Sequence, residues 1–423
     1  MNDKKQFLLH ASPLFLVLLI DGMGLGLVFP LLNALMNDPT TGFFSHPVPP
    51  GMRNLMYGGL IGLFMLCWFL GAAILGDLSD QIGRKKSLII CLSGTFLGYL
   101  IGAVAIPLHS FSLLILSRVI AGLTSGSQPI AQAAIVDLST EEHKTRNIGF
   151  IFLALSLGFV LGPLLGGLLS DKRLVSWFSF DTAFYFAALI AFINVILLWR
   201  FFKETYTATT SKVKISFYRP ITIFVSAFKN IPIRNLSLLL LIFILGWSSF
   251  FSFISLFLLK NYHLTPSDTG FAMAVMGIGF CLSNSFLTNY ITHRFSLENS
   301  FKYTVLFGAA FMALLFLYYP ILSWFVLVAI GAFVAVAYSA LLTIFSNQVS
   351  ANEQGWVMGL TGSISALVFG IDGIVMGVLA AWSVNLPIII SIFCLGLSAL
   401  LTRSLCLRTR KLDYAKDTAK VPT

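Results

Sequence analysis

Of 423 residues, 57% are apolar and only 10% charged, and the mean hydropathy is +0.89. A soluble domain carries roughly 25% charged residues, and no water-soluble fold hides this much apolar surface, so a soluble globular domain is excluded. The net charge of +10 would suggest nucleic acid in a soluble protein; here it sits between apolar runs and reports topology, and no nucleic-acid partner is expected. The runs are about twenty residues long, enough to cross about 30 Å of hydrocarbon at about 1.5 Å per residue. In chain order they are predicted at 12–34, 55–76, 87–107, 111–136, 147–170, 180–201, 235–259, 268–291, 301–319, 322–346, 356–381 and 385–402. The expectation is an all-α membrane protein of twelve transmembrane helices. The first run carries Asp21 in its middle and is longer than a signal-peptide core, so it reads as a retained helix.

With both termini in the cytoplasm, all 27 Lys and Arg lie inside except Arg53, Lys172, Arg173 and Lys260 outside and Arg118 within a span. The positive-inside rule therefore predicts cytoplasmic N- and C-termini. Short loops favour a bacterial cytoplasmic membrane. Residues 202–234 form the longest connection, polar and basic. They divide a six-helix bundle over 1–201 from a second over 235–402, with a basic tail at 403–423. Two six-helix pseudo-repeats of this kind bind solute near the bilayer midplane and rock against each other. Within the connection, 217–230 reads either as an amphipathic helix on anionic lipid or as a solvated tether.

Enzyme chemistry finds no footing. The five cysteines, Cys67, Cys91, Cys281, Cys394 and Cys406, have no metal or disulfide spacing and read as small buried hydrophobes. The histidines fall at or outside helix ends with no nucleophile at motif spacing. Gly22-x-Gly24-x-Gly26 follows no strand and precedes no Lys-Ser/Thr pair, so it is not a phosphate loop. No cofactor or metal is expected, and a transporter without a nucleotide engine draws on the proton gradient. A monomer working with a small-molecule substrate, protons and the lipid bilayer is the expected unit.

After the second span, Gly76, Asp77, Asp80, Gly83, Arg84, Lys85 and Lys86 crowd into eleven residues. Topology alone needs only the bases. The acids sit where the helix ends and the glycine permits a reversal, so Asp77 can approach a neighbouring helix N-terminus while Arg84 reaches another acid. Contacts of this type form in one conformation and break in another, which makes a latch. The loop resembles the signature of the major facilitator superfamily. That resemblance implies the major facilitator fold, and a pairing of Arg84 with Asp137 at the cytoplasmic end of the fourth helix.

Gly158, Gly162, Pro163, Gly166 and Gly167 put glycines at i, i+4 and i+8 on one face of the fifth helix beside a proline that removes a backbone hydrogen bond. The segment is similar to the antiporter motif of the drug:proton antiporter branch, where the bent helix shapes the substrate cavity. Arg118 inside hydrocarbon costs at least about a few kcal/mol unless it faces partners or water. It lies roughly 12 Å from the outer end of its helix and Asp21 roughly 14 Å from the inner end of the first, so the two depths nearly coincide. They are expected to share a cavity, directly or through Gln128, Gln132 or Asn194; a structural cation holding helices together is the other reading. Arg118 matches the family's fourth-helix arginine, which implies proton coupling.

The first helix, 116–169 and the loop after the second span are similar to tetracycline:proton antiporters, although the third span here has no acid and the eighth no histidine. Asp372, roughly 15 Å deep in the eleventh span, is the alternative proton carrier, or else a structural hydrogen-bonding group. Asp181 reads as a solvated helix-end acid. Phe243, Trp247, Phe250, Ile254 and Phe257 recur at helical spacing and either meet an apolar substrate or pack. Trp247, Phe250 and Asn284, with Ser283, Asn347 and Gln348, are the cavity candidates of the second half. The resulting expectation is a proton-coupled antiporter exporting a small organic molecule, a drug-like compound or metabolite, by alternating access; the alternative is a proton symporter or facilitator importing a nutrient or siderophore.

Overall fold

The computed structural model describes residues 2–38, 41–139, 141–206, 218–349 and 353–418. Lys212 and Lys214 of the predicted connection lie outside these residues. No strand occurs among the described residues, and eleven helices are long and apolar enough to cross a membrane.

The helices of the first half are α1 (Asn2–Asn37), α2 (Pro50–Ile82), α3 (Arg84–Ala105), α4 (Phe111–Thr124), α5 (Ser127–Asp137), α6 (Glu141–Leu169) and α7 (Phe180–Phe201). A short helix α8 (Arg219–Lys229) lies in the connection. The second half follows with α9 (Ile231–Asn261), α10 (Pro266–Leu282), α11 (Thr288–Arg294), α12 (Leu297–Leu314), α13 (Pro320–Ser346), α14 (Gln354–Trp382) and α15 (Leu386–Thr418). A π-helical turn, Ser283–Leu287, joins α10 to α11 within one span.

The fourth predicted crossing is split into two helices. The predicted run 111–136 breaks at Ser125-Gly126 into α4 and α5, each too short to span alone. Thr124 and Ser125 hydroxyls turn back onto the Ile120 and Ala121 carbonyls at 2.8 and 2.6 Å, competing with the helix ladder. Gly126 then allows α2 to press in: a Cβ there would stand 2.6 Å from Leu75 Cβ. A second correction concerns the connection after the second span. Residues 77–82 continue α2, and only Gly83, at φ 100°, is non-helical.

Packing repeats between the halves. In the first, α1 lies on α6 and α7, α2 on α4, and α3 on α4 and α7; in the second, α9 lies on α14 and α15, α10 on α13, and α12 on α13 and α15. The halves meet where α2 crosses α14 and α6 crosses α10. Both crossings are lined by glycines, as close helix approach in a membrane requires. Gly58 and Gly62 of α2 face Gly370, Gly373 and Gly377 of α14, and a Cβ on Gly58 would come within 2.7 Å of Gly377 Cα. Gly167 of α6 meets Gly270 of α10 likewise. Asn54 closes the first seam by donating to the Ala380 carbonyl at 2.8 Å.

The turn at Gly83 and the α8 connection share one face, called here the basic face, where Asp77 pairs with Arg219; Arg53, Lys172, Arg173 and Lys260 lie at the opposite helix ends and mark the far face. The segment expected at 217–230 is a helix that buries Pro220 and Ala227 and packs on α2, α9 and α14.

Candidate functional site

Asp21 and Arg118 line one cavity of about 40 Å³ between α1, α2, α3 and α4, together with Thr95, Tyr99 and Ser125 and an apolar wall of Leu25, Val28, Phe29, Leu60, Ile61 and Phe64. They share this cavity, yet among the described residues they do not bond each other. The Ser127 hydroxyl lies 2.9 and 2.8 Å from the two Asp21 carboxylate oxygens, so one hydroxyl proton serves both. Ser127 reaches Asp21 because α5 starts there, after the break in the fourth span. Arg118 donates through Nε and Nη2 to its neighbour Ser117 at 3.3 and 2.9 Å. Its guanidinium lies 5.4 Å from the Phe184 ring centre and 5.9 Å from that of Phe64, cation–π contacts that partly replace lost hydration. Among the described residues no carboxylate stands within ion-pair distance of Arg118.

The expected intermediaries lie elsewhere. Gln128 and Gln132 are half-buried on α5 and do not border the cavity. Asn194 is buried against α1, its amide donating to the Pro13 carbonyl and accepting from the Val17 N–H, both at 3.2 Å, where Pro13 disturbs the helix. Tyr99 lines the same cavity as Asp21 and Arg118, and its hydroxyl occupies the space a side chain on Gly24 would need. Nothing in the sequence marks Tyr99, because its role depends on how α3 is rotated.

Asp372 is the second membrane carboxylate, 1% exposed. Ser248 and Ser249 of α9 donate to its two oxygens, each at 2.8 Å. The serine pair inside the aromatic run Trp247-Ser-Ser-Phe250-Phe251 was the available signal. Each half thus places one carboxylate within its helix bundle, held by serine hydroxyls.

Between the halves, Trp247 contacts Phe250, Phe251 and Phe280, and Phe251 also meets Phe29 and Phe159, with ring centres 5.4–6.0 Å apart. Trp247 is half-buried in this cluster, while Phe243, Phe250, Ile254 and Phe257 are packed core. Asn284 sits in the π-helical turn, exposed, and donates to Ser156 of α6 at 3.0 Å.

At the basic face, Arg84 donates to Asp80 at 2.6 Å and to Ser79 at 2.6 Å, and its Nε stands 3.5 Å from Asp137. Asp77 pairs with Arg219, the first residue of α8, at 2.8 Å. Glu204, which sequence reasoning passed over, accepts from the Arg84 and Lys85 N–H groups at 2.8 and 3.1 Å and so caps the start of α3. The Gly83 turn leaves room for that carboxylate; Gly76 has open space around it.

The glycines of the fifth span fit α1. Cβ atoms on Gly158 and Gly162 would approach the Leu19 and Met23 carbonyls to 2.5 Å, Gly166 borders Leu27, and Pro163 packs on Gly26. Gly167 serves the contact with α10 instead. At the far face, Asp171 accepts from Arg173 Nη2 and from Ser267 of α10, both at 2.7 Å, and Arg173 also donates to Thr265 at 3.2 Å. Hydrogen bonds from Arg173 and Ser267 hold the Asp171 carboxyl well below the usual carboxylate range. Lys260 adds a bond to the Asn37 carbonyl at 3.1 Å.

Comparison with known proteins agrees with this architecture. The chain is 27% identical to the quinolone resistance protein NorA of Staphylococcus aureus (strain MSSA476) over 399 residues, covering 92% of this chain and 93% of NorA. To the class H tetracycline resistance protein of Pasteurella multocida it is 34% identical over 192 residues, 45% of this chain, and it spans 44% of that protein's length. The crystal structure of a bacterial homologue of the human lysosomal transporter Spinster superposes with a TM-score of 0.73 at 15% identity, over 96% of this chain and 98% of the other, a likeness of fold. The sequence profile of the Major Facilitator Superfamily matches residues 14–371, and the chain belongs to that family of membrane transporters.

Proposed function

We propose that this transporter is a proton-coupled antiporter that exports a small organic molecule by alternating access, with both termini in the cytoplasm, working as a monomer in a bacterial cytoplasmic membrane. The carrying observation is the pair of carboxylates, Asp21 and Asp372, one in each half, each held by serine hydroxyls with no cation at ion-pair distance among the described residues. Such a group loads and releases a proton as its side of the cavity opens. Arg118 lines the same cavity as Asp21. Gly76, Asp77, Asp80, Gly83, Arg84 and Asp137 form the latch at the cytoplasmic face, and Gly158, Gly162, Pro163, Gly166 and Gly167 set the approach of α6 to α1 and α10. The export direction is supported by the resistance proteins among its relatives.

Inverted membrane vesicles test the reading. An inside-acid gradient should drive accumulation of a quinolone, a tetracycline or another toxic organic solute, and a protonophore should abolish it. Accumulation driven by outside acid instead would establish symport and overturn the proposal.

A further inference from the structure

The far face carries a second and larger cavity. We propose that it binds an organic anion, a carboxylate or sulfonate on an apolar body, held between the two halves and apart from the cavity of Asp21 and Arg118. The inference goes beyond the proposed antiport and does not depend on it.

The cavity measures about 840 Å³, within the range of about 300–1,000 Å³ typical of small-molecule sites. Both halves wall it. The first supplies the end of α1 and the α3–α4 and α6–α7 connections; the second supplies the end of α9 and the α9–α10 connection. Leu35 lines it, while Leu32, about one turn earlier on α1, lines the smaller first-half cavity. Two contacts between the halves border it: Lys260 donates to the Asn37 carbonyl at 3.1 Å, and Arg173 donates to Thr265 and Ser267 at 3.2 and 3.0 Å.

Its polar wall is rich in donors that the protein leaves unspent. Lys172 and His263 have no hydrogen-bonding partner among the described residues. An ammonium group has three N–H donors, and Lys260 uses one of them on Asn37. Arg173 bonds through Nε and Nη2, leaving Nη1 without a partner among the described residues. Of the two carboxylates on the wall, Asp171 is held by Arg173 and Ser267, and Asp38 is one acid set among Lys172, Arg173 and Lys260. Nearby Asp268 is turned to Thr265 as the cap of α10. The field is net positive, which favours an anion and opposes a cation. Leu35, Phe43, Ile106, Phe180 and Leu264 supply apolar wall for the body of the solute. The backbone adds an independent sign: His109 and His263 both line the cavity at positive φ, 51° and 55°. Such conformations are uncommon for a residue other than glycine and cluster at ligand clamps. An anion that engages Lys172 of the first half and Lys260 of the second adds a further tie between the halves.

The test uses the full chain in phosphatidylcholine nanodiscs and equilibrium binding, at neutral pH, of naphthalenesulfonate, the uncharged naphthalenesulfonamide and the cation naphthylmethylammonium. The sulfonate should bind at least about tenfold more tightly than the sulfonamide, the gain expected of one charge-assisted contact, and the ammonium should bind most weakly. Lys172 has no partner to lose, so Lys172→Gln should fold normally and weaken the sulfonate about threefold, as expected of an exposed charge. Lys172→Gln combined with Lys260→Gln should erase the preference for the sulfonate. The sulfonate should also raise the melting temperature of the parent and not of the double variant, because a ligand that binds only the folded protein stabilises it. Inorganic phosphate and glycerol phosphate, the bare headgroup of an anionic lipid, should compete at least about tenfold more weakly, since neither buries an apolar body. Equal affinity for the sulfonate and the sulfonamide, or binding of none of the three, overturns the inference, and so does a preference that survives in the double variant. Competition by glycerol phosphate or phosphate at the same concentration as the sulfonate overturns it too, giving the site to a lipid headgroup or a free phosphate. The comparison of the three compounds uses the unmodified protein and stands even where a variant fails to insert.

Discussion

Asp77 and Arg219 join at 2.8 Å across two elements that are separate in the chain: the last turns of α2 and the first residue of the helix that links the two halves. Arg219 is 53% exposed, and exposed pairs contribute roughly 0–1 kcal/mol. The pair's importance is therefore kinetic: any motion of α8 relative to α2 must break it.

Asp77→Asn should accordingly slow turnover several-fold while leaving solute affinity and melting temperature nearly unchanged. Exchange kinetics and equilibrium binding on one preparation check this; a pure loss of affinity would remove the latch.

Two glycines of the same signature should behave differently. Gly83 has φ 100° and an added Cβ would run into the Glu204 carboxylate, so Gly83→Ala should cost about 1–3 kcal/mol. Gly76 is helical with open space, and alanine there should be neutral or stabilise by up to about 1 kcal/mol. Thermal melting in detergent separates the two, and equal effects would contradict the steric account.

Asp21→Asn should abolish gradient-driven flux while leaving solute counterflow, because the amide keeps its hydrogen bonding to Ser127 and carries no exchangeable charge. Unchanged gradient-driven flux would transfer the proton to Asp372, whose Asn variant should then show the loss.

The clasp of Asp171, Arg173 and Ser267 gives a pH dependence with a definite sign. The folded-state pKa of Asp171 lies below its unfolded value, so its stabilisation is fully present above about pH 4 and is lost as pH falls through the folded value. The difference in melting temperature between the parent and Asp171→Asn should stay flat from about pH 7 to 5 and shrink only below about pH 4. A difference that grows on acidification would overturn the assignment.

Motif was legible in the sequence where a contact is set along one helix or by a short turn. Arg84 meets Asp137, Asp21 and Arg118 line one cavity, and the glycines at 158, 162 and 166 face a partner helix. What depends on rotation between distant helices was not legible. Asn194 turns to the Pro13 carbonyl, Phe250 turns into the core, and Ser127, Tyr99 and the Ser248–Ser249 pair supply the polar contacts instead. The break in the fourth span had its signal in Thr124-Ser125-Gly126, hidden by the even hydropathy around it.

The crossing of α2 and α14 through Gly58, Gly62, Gly370, Gly373 and Gly377 is made largely of backbone. Interdigitated side chains would give such a contact discrete rest positions, since each knob must leave its hole before the next is entered. Backbone against backbone offers few knobs, Leu66 and Ile374 among them, so a small rotation should exchange one set of weak contacts for another with little barrier. In the alternating-access cycle proposed above, this seam would be the bearing on which the halves turn, leaving the steps of the cycle to the ion pairs at the two faces.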